Sequence, residues 1–352
     1  MPLPEALHDL LTAHGPSGRE EAPGAVFRRH AEAFGATVQS DTLGSVSARV
    51  PGTGGGLSVA VLGHLDEIGL IVTHIDDKGF LWIAGVGGWD PVVLVGQHVV
   101  VMTRNGPVPG VVARKAIHLL EPDDRKKAPE MKQLHIDIGA ADGDAAKAVV
   151  RVGDVAVIEG DPVELPGERY VARAMDNRLG CFVALEAARL VAEAGGAPGD
   201  VLAVGTVQEE NDQAGAHTAP YDLQPDVAIV VDVTHATDVP GVDERENGSH
   251  PFGSGPVISR GSQLHPQVFE LLYETAEREG IPVTIEATGR YTGTDADIVQ
   301  AVRAGIPTGV VRLPLRYMHS PVEMIQLSDV HAAAQLIAAF CRSLEPGTTF
   351  VR

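Results

Sequence analysis

Two adjacent carboxylates, Glu209 and Glu210, follow an apolar run at residues 201–207 and are the first candidates for chemistry. Six of the seven residues in that run are apolar or Gly, which predicts a buried strand of the parallel type. Acids at the carboxyl end of such a strand lie where open α/β sheets place their active sites. An isolated Glu-Glu pair is more often part of a solvated loop. The interpretation therefore depends on which other side chains reach the same position.

Four further side chains with suitable chemistry lie near the end of a predicted strand or the start of a predicted helix: His64, Asp176, Asp232 and His319. Asp66 follows His64 by two residues, a spacing that lets its carboxylate orient a metal-binding imidazole. For Asp176, capping of the following helix is an equally good interpretation, because Asp is a preferred N-cap residue. In a doubly wound sheet, we expect positions of this kind to converge on one rim.

The residue types in this set indicate divalent metal ions. Two imidazoles with three or four carboxylates and no thiol form an N/O ligand set that suits Zn, Co or Mn, not a structural thiolate zinc site. Carboxylates crowded into one cleft repel one another and raise one another's pKa. Two divalent cations would outweigh the negative charges of Asp176, Glu210 and Asp232, so the acids predict bound metals.

Length, charge and hydropathy limit the partners and the location. A chain of 352 residues favours two domains, or one domain with a large insertion. A formal net charge of −20 argues against nucleic acid or an anionic membrane as partner. The sequence has neither an apolar run long enough to span a bilayer nor a signal-peptide pattern. We therefore expect a cytoplasmic protein in which Cys181 and Cys341 are buried free thiols.

The pattern of predicted elements divides the chain into an α/β part and a β-rich part. Residues 1–68 and 166–352 alternate apolar strands with amphipathic helices, as α/β domains do. Residues 69–165 hold short β-rich runs joined by turn pairs such as Asn105-Gly106, which indicate a small barrel or sandwich. We predict a discontinuous α/β catalytic domain with an inserted β-rich domain. The last three strands predicted are 227–231, ended by Asp232, then 283–285 and 308–313.

Nine short motifs along the chain together resemble one enzyme family. They are GPSGRE, GHLDEIG, HIDIGA, ARAMDNRLG, TVQEE, DVTHATDVPG, GSGPVI, TGTDAD and RYMHSPVE. In this order and spacing they resemble the tetrahedral (TET) aminopeptidases. These are dinuclear metallo-aminopeptidases with glutamyl aminopeptidase-like members, in metallopeptidase family forty-two. The resemblance covers essentially all 352 residues.

The resemblance implies a fold, an activity and an assembly. The fold would be a zinc-peptidase-like α/β/α catalytic domain with a mixed sheet, and the insertion would be a PDZ-like dimerisation domain. Dimers would associate into a tetrahedral dodecamer. The activity would be hydrolysis of N-terminal residues from short peptides by a site with two divalent ions, Zn or Co, with Mn as a further candidate.

The resemblance also implies a role for each candidate residue. His64 and Asp232 would bind one metal and Glu210 and His319 the other, with Asp176 bridging both. Glu209 would be the general base that takes a proton from a metal-bridging water. Asp66 would orient His64, and His235 would line the cleft without binding metal.

Departures from the family pattern concern the loops beside the metals. Asn211-Asp212-Gln213 follows the acid pair where the family usually carries Val-Gly, and Thr292 replaces a usual Gly. Neither departure changes a proposed ligand, so they bear on specificity.

Two other functions stay open on the residues alone. The same dinuclear site could deacylate N-acyl amino acids, or the chain could be a non-catalytic assembly protein. An acidic substrate side chain would need a cation near the metals, for which Arg260, Arg290 and Arg316 are the candidates.

Overall fold

Side chains of the central strands alternate between two hydrophobic layers, one on each face of a sheet. In the strand Val59–His64, Val59 and Val61 pack into one layer, whereas Ala60 and Leu62 pack into the other. Strands buried on both faces read as continuous apolar runs, which is the pattern found in the sequence. The structure is a computed structural model that describes residues 1–350.

The helices and strands of the described residues are numbered in chain order. The helices are α1 (Glu5–Thr12), α2 (Glu21–Ala33), α3 (Pro91–Leu94), α4 (Gly143–Val149), α5 (Met175–Glu193), α6 (Glu209–Asp212), α7 (Ala214–Leu223), α8 (Glu244–Asn247), α9 (Pro266–Glu279), α10 (Ala296–Val299) and α11 (Leu327–Ser343). The strands are β1 (Thr37–Ser40), β2 (Val46–Val50), β3 (Val59–His64), β4 (Gly69–Ile75), β5 (Leu81–Val86), β6 (His98–Thr103), β7 (Gly106–Ala113), β8 (His135–Asp137), β9 (Val155–Ile158), β10 (Val163–Leu165), β11 (Arg169–Ala172), β12 (Val201–Thr206), β13 (Val227–His235), β14 (Val257–Gly261), β15 (Thr284–Thr288), β16 (Thr308–Leu315) and β17 (Glu323–Gln326).

Eight strands form one mixed sheet in the order β1-β2-β12-β3-β13-β16-β14-β15. The four central strands β12, β3, β13 and β16 run parallel to their neighbours in this group. Strand β2 pairs antiparallel with β12, and β14 pairs antiparallel with β16. Because the carboxyl ends of parallel strands meet at one edge, the loops after the four central strands lie together.

Helices cover both faces of this sheet. On one face, α5 packs against β3, β12 and β13, and α11 packs on α5. On the other face, apolar residues of α7 and α10 join those of β3, β12 and β13 in a second core. This arrangement is the α/β fold with a mixed sheet that the sequence predicted.

Six strands between residues 69 and 158 close into an antiparallel barrel, in the order β4-β5-β8-β7-β6-β9. The barrel has a hydrophobic core of its own, which includes Leu70, Val72, Leu81 and Ile136. A separate core is what a domain of its own requires. The strand β10 lies after the barrel and pairs with β11 instead. The limits 69–165 of the inserted domain stay a prediction.

A three-stranded antiparallel sheet, β10-β11-β17, was not anticipated. The sequence predicted no strand after residues 308–313, whereas β17 follows at Glu323–Gln326. The strand β13 also continues to His235, past the predicted end at residue 231. Asp232 therefore lies within a strand and does not follow one.

Two predictions about the rest of the chain can be compared with the structure. Within residues 1–350, no helix combines the length and the apolar character needed to cross a membrane. Cys181 and Cys341 are buried free thiols, as predicted.

Candidate metal centre

The rim at the carboxyl ends of the parallel strands gathers six of the predicted site residues. One residue ends β3, another lies near the end of β13, and an acid pair begins the short helix α6 just after β12. The loop after β16 and the first turn of α5 contribute one residue each. In chain order the six are His64, Asp176, Glu209, Glu210, Asp232 and His319.

Two groups of metal-ligating atoms share Asp176. Ligand atoms of His64, Asp176 and Asp232 lie within 4.8 Å of one another, and so do those of Asp176, Glu210 and His319. The two carboxylate oxygens of Asp176 face different imidazoles, since Oδ1 lies 3.2 Å from His64 Nε2 and Oδ2 lies 3.5 Å from His319 Nε2. His319 Nε2 also lies 3.4 Å from Glu210 Oε2. A carboxylate that faces both groups has the geometry of a bridging ligand.

Glu209 lies beside these two groups. Its Oε2 is 3.8 Å from His64 Nε2, and its Oε1 accepts a hydrogen bond from Gln213 Nε2 at 3.3 Å. The side chain lines the cleft and remains 13% exposed. A carboxylate at the edge of the ligand cluster and in reach of the cleft can accept a proton from a reactant there.

The backbone at the start of α5 turns the Asp176 carboxylate toward the histidines. Asp176 and Asn177 have non-helical φ and ψ angles. Asn177 caps the helix, because its Oδ1 accepts a hydrogen bond from the Gly180 N–H at 2.9 Å. Its Nδ2 donates to the carbonyl oxygen of Val231 at 2.7 Å. The interpretation of Asp176 as the N-cap residue is therefore wrong.

Asp66 contacts both the histidine and the acid pair. His64 Nδ1 lies 3.2 Å from the main-chain oxygen of Asp66 and 3.4 Å from its Oδ1, so both oxygens are near the ring nitrogen that faces away from the ligand group. The Asp66 carboxylate also accepts hydrogen bonds from the backbone N–H groups of Glu209 and Glu210, each at 3.1 Å. The sequence predicted the contact of Asp66 with the imidazole but not its hydrogen bonds with the backbone of the acid pair.

His319 is oriented by the barrel. Its Nδ1 donates a hydrogen bond to the carbonyl oxygen of Gly88 at 2.8 Å. Gly88 lies in the loop between β5 and α3, within the inserted segment. A carbonyl accepts only, so this bond assigns the proton to Nδ1 and leaves Nε2 facing Asp176 and Glu210.

Burial and like charges raise the pKa of three acids in this cluster, Asp232, Glu209 and Glu210. For Asp176, burial also raises the pKa, but contacts with His319 and His64 outweigh it, so the pKa of this carboxyl falls below its usual range. Burial, with repulsion from neighbouring acids, raises the pKa of Asp232 to about 7 and that of Glu209 to about 9. Hydrogen bonds to Asp176 and Glu210 raise the pKa of His319 to about 11. The site therefore favours positive charge between its carboxylates. Divalent ions would provide that charge while the imidazoles stay neutral, and the N/O donor set fits such ions.

The sequence of this chain matches a known enzyme family. The sequence profile of the M42 glutamyl aminopeptidase family matches residues 44–336. The chain belongs to the M42 glutamyl aminopeptidase family. It is an enzyme of the metallo-aminopeptidase class, and the family implies divalent metals, in agreement with the sequence prediction.

Three relatives document the similarity. The lysyl aminopeptidase of Pyrococcus furiosus is 32% identical over 311 residues, which are 88% of this chain and 88% of that protein. The TET aminopeptidase of a marine-sediment Thaumarchaeota archaeon is 35% identical, covers 97% of this chain and 96% of its own, and has a TM-score of 0.91. The TET1 peptidase of Pyrococcus horikoshii, which assembles into a tetrahedron or a large octahedral shell, is 30% identical. It covers 97% of this chain and 99% of its own, with a TM-score of 0.84. These structures confirm the predicted fold class.

A cleft of about 390 Å³ leads to the candidate metal centre of this M42 enzyme. Besides the predicted ligands, its wall includes His235, as the sequence anticipated, and a pair that it did not, Glu286 and Arg312. Arg312 Nε lies 2.8 Å from Glu286 Oε2, and its terminal nitrogens donate to the main-chain oxygens of Val233 and Thr292. The guanidinium is thus held in the wall, between β13 and the loop before α10.

The three arginines proposed as substrate contacts have partners outside this cleft wall. Arg316 forms an ion pair with Asp238, and Arg260 forms one with Glu270. Arg290 lies over the ring of Tyr291. Arg312 was overlooked although a charge inside the apolar strand TGVVRLPL is a visible sequence feature.

The two departures from the family pattern make defined contacts. Asn211 Oδ1 accepts a hydrogen bond from the Gly87 N–H at 3.2 Å, and its Nδ2 donates to Ser17 Oγ at 2.9 Å. Thr292 Oγ1 donates to Asp297 Oδ1 at 2.7 Å. Asn211 therefore connects the helix that carries the acid pair with the barrel.

Proposed function

We propose that this M42 family member is a co-catalytic dinuclear aminopeptidase that releases N-terminal residues from short peptides. The observation that carries the proposal is the position of Asp176 between two ligand groups. His64 and Asp232 would hold one divalent ion, Glu210 and His319 would hold the other, and Asp176 would bridge them. An isolated mononuclear site would need no such shared carboxylate.

Glu209 is the general base in this proposal. When bound, the two ions would lower the pKa of water and polarise the scissile carbonyl. Glu209 would take a proton from the attacking water and return it to the nitrogen that leaves as the C–N bond breaks. Gln213 donates a hydrogen bond to the Glu209 carboxylate, and the backbone N–H of Glu209 donates one to Asp66. Together these two bonds orient the carboxylate for both proton transfers.

The charge of the cleft supports exopeptidase action. Its wall is rich in carboxylates, which would attract the free α-ammonium group of a peptide. A blocked N-terminus would lack that charge, so a deacylase of N-acyl amino acids would gain nothing from this wall.

Metal identity, assembly and location are part of the same proposal. Zn or Co would be the bound ions, with Mn as a further candidate, because all three accept N/O ligands. The chain would form a homo-oligomer, dimers that assemble into a tetrahedral dodecamer, with the barrel as a PDZ-like dimerisation domain. The similarity to a TET peptidase that forms closed shells supports this assembly. Buried free thiols suit a cytoplasmic location.

The proposal is tested with free and N-acetylated aminoacyl-p-nitroanilides. Chelation should abolish hydrolysis of the free substrates, and Zn²⁺ or Co²⁺ should restore it, while the acetylated substrates stay intact. Glu209→Gln should lower kcat by a factor on the order of 10² to 10⁴ and keep both metal equivalents. Activity that survives chelation, or full activity of Glu209→Gln, would refute it.

A further inference from the structure

Glu323 contacts two of the proposed ligands through their backbones. Its Oε2 accepts a hydrogen bond from the Asp176 N–H at 3.1 Å, and its Oε1 accepts one from the His319 N–H at 2.9 Å. The side chain is buried, with 2% exposure. A carboxylate that accepts two backbone N–H groups makes charge-assisted bonds, which are stronger than those between neutral groups.

The position of Glu323 follows from the pairing of β11 with β17. In this antiparallel ladder Ala172 lies opposite Glu323, the last pair before the two strands separate. Asp176 comes four residues after Ala172, and His319 comes four residues before Glu323. Both proposed ligands thus lie on segments that extend past the end of the ladder, where no ladder hydrogen bonds connect the two segments.

The two segments also turn away from extended geometry. His319 itself and Ala174, two residues before Asp176, both have left-handed backbones with φ of 57°. Residues other than Gly seldom adopt this conformation, and contacts with the surrounding structure stabilise it. The Glu323 carboxylate, placed between the two segments, accepts one N–H from each.

We propose that Glu323 is a positioning residue that fixes the distance between Asp176 and His319, and with it the geometry of the ligand group that these two share with Glu210. It would touch neither metal nor substrate. The inference rests on the proposed dinuclear function and adds to it the device that aligns the bridging ligand with the terminal histidine.

Asp329 offers a matched control within the same chain. It is 3% exposed, and its two oxygens accept hydrogen bonds from the Gly253 N–H at 2.9 Å and the Gly255 N–H at 3.0 Å. Like Glu323, Asp329 is a buried carboxylate that accepts two backbone N–H groups. The two N–H groups that it accepts, however, do not belong to proposed ligands. Glu323→Gln and Asp329→Asn each keep the side-chain volume and replace one accepting oxygen with a donor.

The test is a titration of the chelated full-length protein with Co²⁺, followed by its visible absorption, a competing chromophoric chelator and steady-state kinetics. We expect Glu323→Gln to weaken one of the two Co²⁺ equivalents by about 10- to 100-fold, to change the Co²⁺ spectrum, and to lower kcat more than it raises KM. Asp329→Asn should lower Tm by a similar amount and leave both equivalents and the spectrum unchanged.

Wild-type affinity and spectrum in Glu323→Gln would overturn the inference, and so would equal perturbation of the metals by Asp329→Asn. Glu323→Asp keeps the charge but withdraws it by one methylene. Glu323→Asp should give an intermediate loss of Co²⁺ affinity. If Glu323→Gln does not fold, the Co²⁺ affinity and spectrum of Glu323→Asp test the inference in its place. Failure of the wild-type protein to take up Co²⁺ would instead refute the proposed dinuclear function, whatever the variants do.

Discussion

Removal of the metals should make the stability of this aminopeptidase fall as the pH rises. Burial raises the pKa of Asp232 to about 7 and that of Glu209 to about 9. Between its ordinary pKa and the raised one, each acid keeps a proton in the folded state that the unfolded chain has released. The free energy of unfolding therefore falls by about 1.4 kcal/mol per pH unit and per group over that interval.

The histidines act in the same direction at higher pH. Contacts with Asp176 and Glu210 raise the pKa of His319 to about 11. For His64, burial lowers the pKa, but hydrogen bonds to Asp176 and Asp66 outweigh it and the pKa rises. The stability that these contacts contribute is present below the ordinary imidazole pKa and is lost as the pH rises through the folded-state value.

Asp232 sets the minimum size of the effect. The loss of unfolding free energy from burying this carboxylate is small near pH 4 and, from the difference between the ordinary pKa of 3.8 and the raised pKa of about 7, reaches on the order of 4 kcal/mol above pH 7. For a chain of this length the change corresponds to roughly 5 °C in Tm. Metal binding requires deprotonated ligands, so the loaded enzyme should gain stability over the same range.

The assay compares Tm of chelated and metal-loaded protein from pH 5 to pH 9, with light scattering to hold the oligomeric state constant. The gap between the two curves should widen with pH. Asp232→Asn removes the buried charge, so the chelated variant should be more stable than chelated wild type at pH 8, and the difference should shrink toward pH 5. A chelated wild type whose Tm is flat or rises with pH would refute the reasoning.

Three other substitutions test the supports of the site. Asp66→Asn replaces one of the two oxygens that accept the N–H groups of the acid pair, and should weaken metal binding by about 10- to 100-fold in a chelator competition. Asn211→Ala breaks partly exposed hydrogen bonds to the barrel, so kcat/KM should fall by less than about tenfold; a larger loss would mean that Asn211 touches substrate. Arg312→Lys keeps the positive charge but cannot reproduce all the contacts with Glu286 and two carbonyl oxygens, and should lower the free energy of unfolding by about 1 to 3 kcal/mol in denaturant titrations.

The sequence allowed prediction of the convergence because the periodicity of buried strands is local information. An apolar run that leads to an acid or a histidine indicates both the strand and its functional end. This reasoning selected Glu209-Glu210, Asp232, His64 and His319. The choice between ligand and cap at Asp176 was beyond it, since Asp and Asn have similar cap preferences and Asn177 is adjacent. Only the folded backbone shows which of the two side chains turns toward the helix.

Residues that act through long-range backbone contacts were not predictable. Glu323 lies in a four-residue strand too short for a periodic pattern, and its role appears only when β17 pairs with β11 about 150 residues earlier in the chain. Asp66 was linked to His64 by spacing, but its bonds to the N–H groups of the acid pair connect the segment after β3 with the start of α6. Such contacts depend on strand order, which local sequence does not encode.

Three buried carboxylates accept backbone hydrogen bonds around the ligand cluster. Glu323 accepts the N–H groups of two proposed ligands, Asp176 and His319. Asp66 accepts those of the acid pair, and Glu20 accepts the N–H of Gln208, next to that pair. Neutral acceptors would avoid placing more negative charge in an acidic cluster. Carboxylates make stronger bonds to N–H groups, however, and their mutual repulsion is relieved once cations lie among them. Metal binding would therefore stabilise the supporting anions together with the ligands, which couples occupancy of the site to the rigidity of the whole rim.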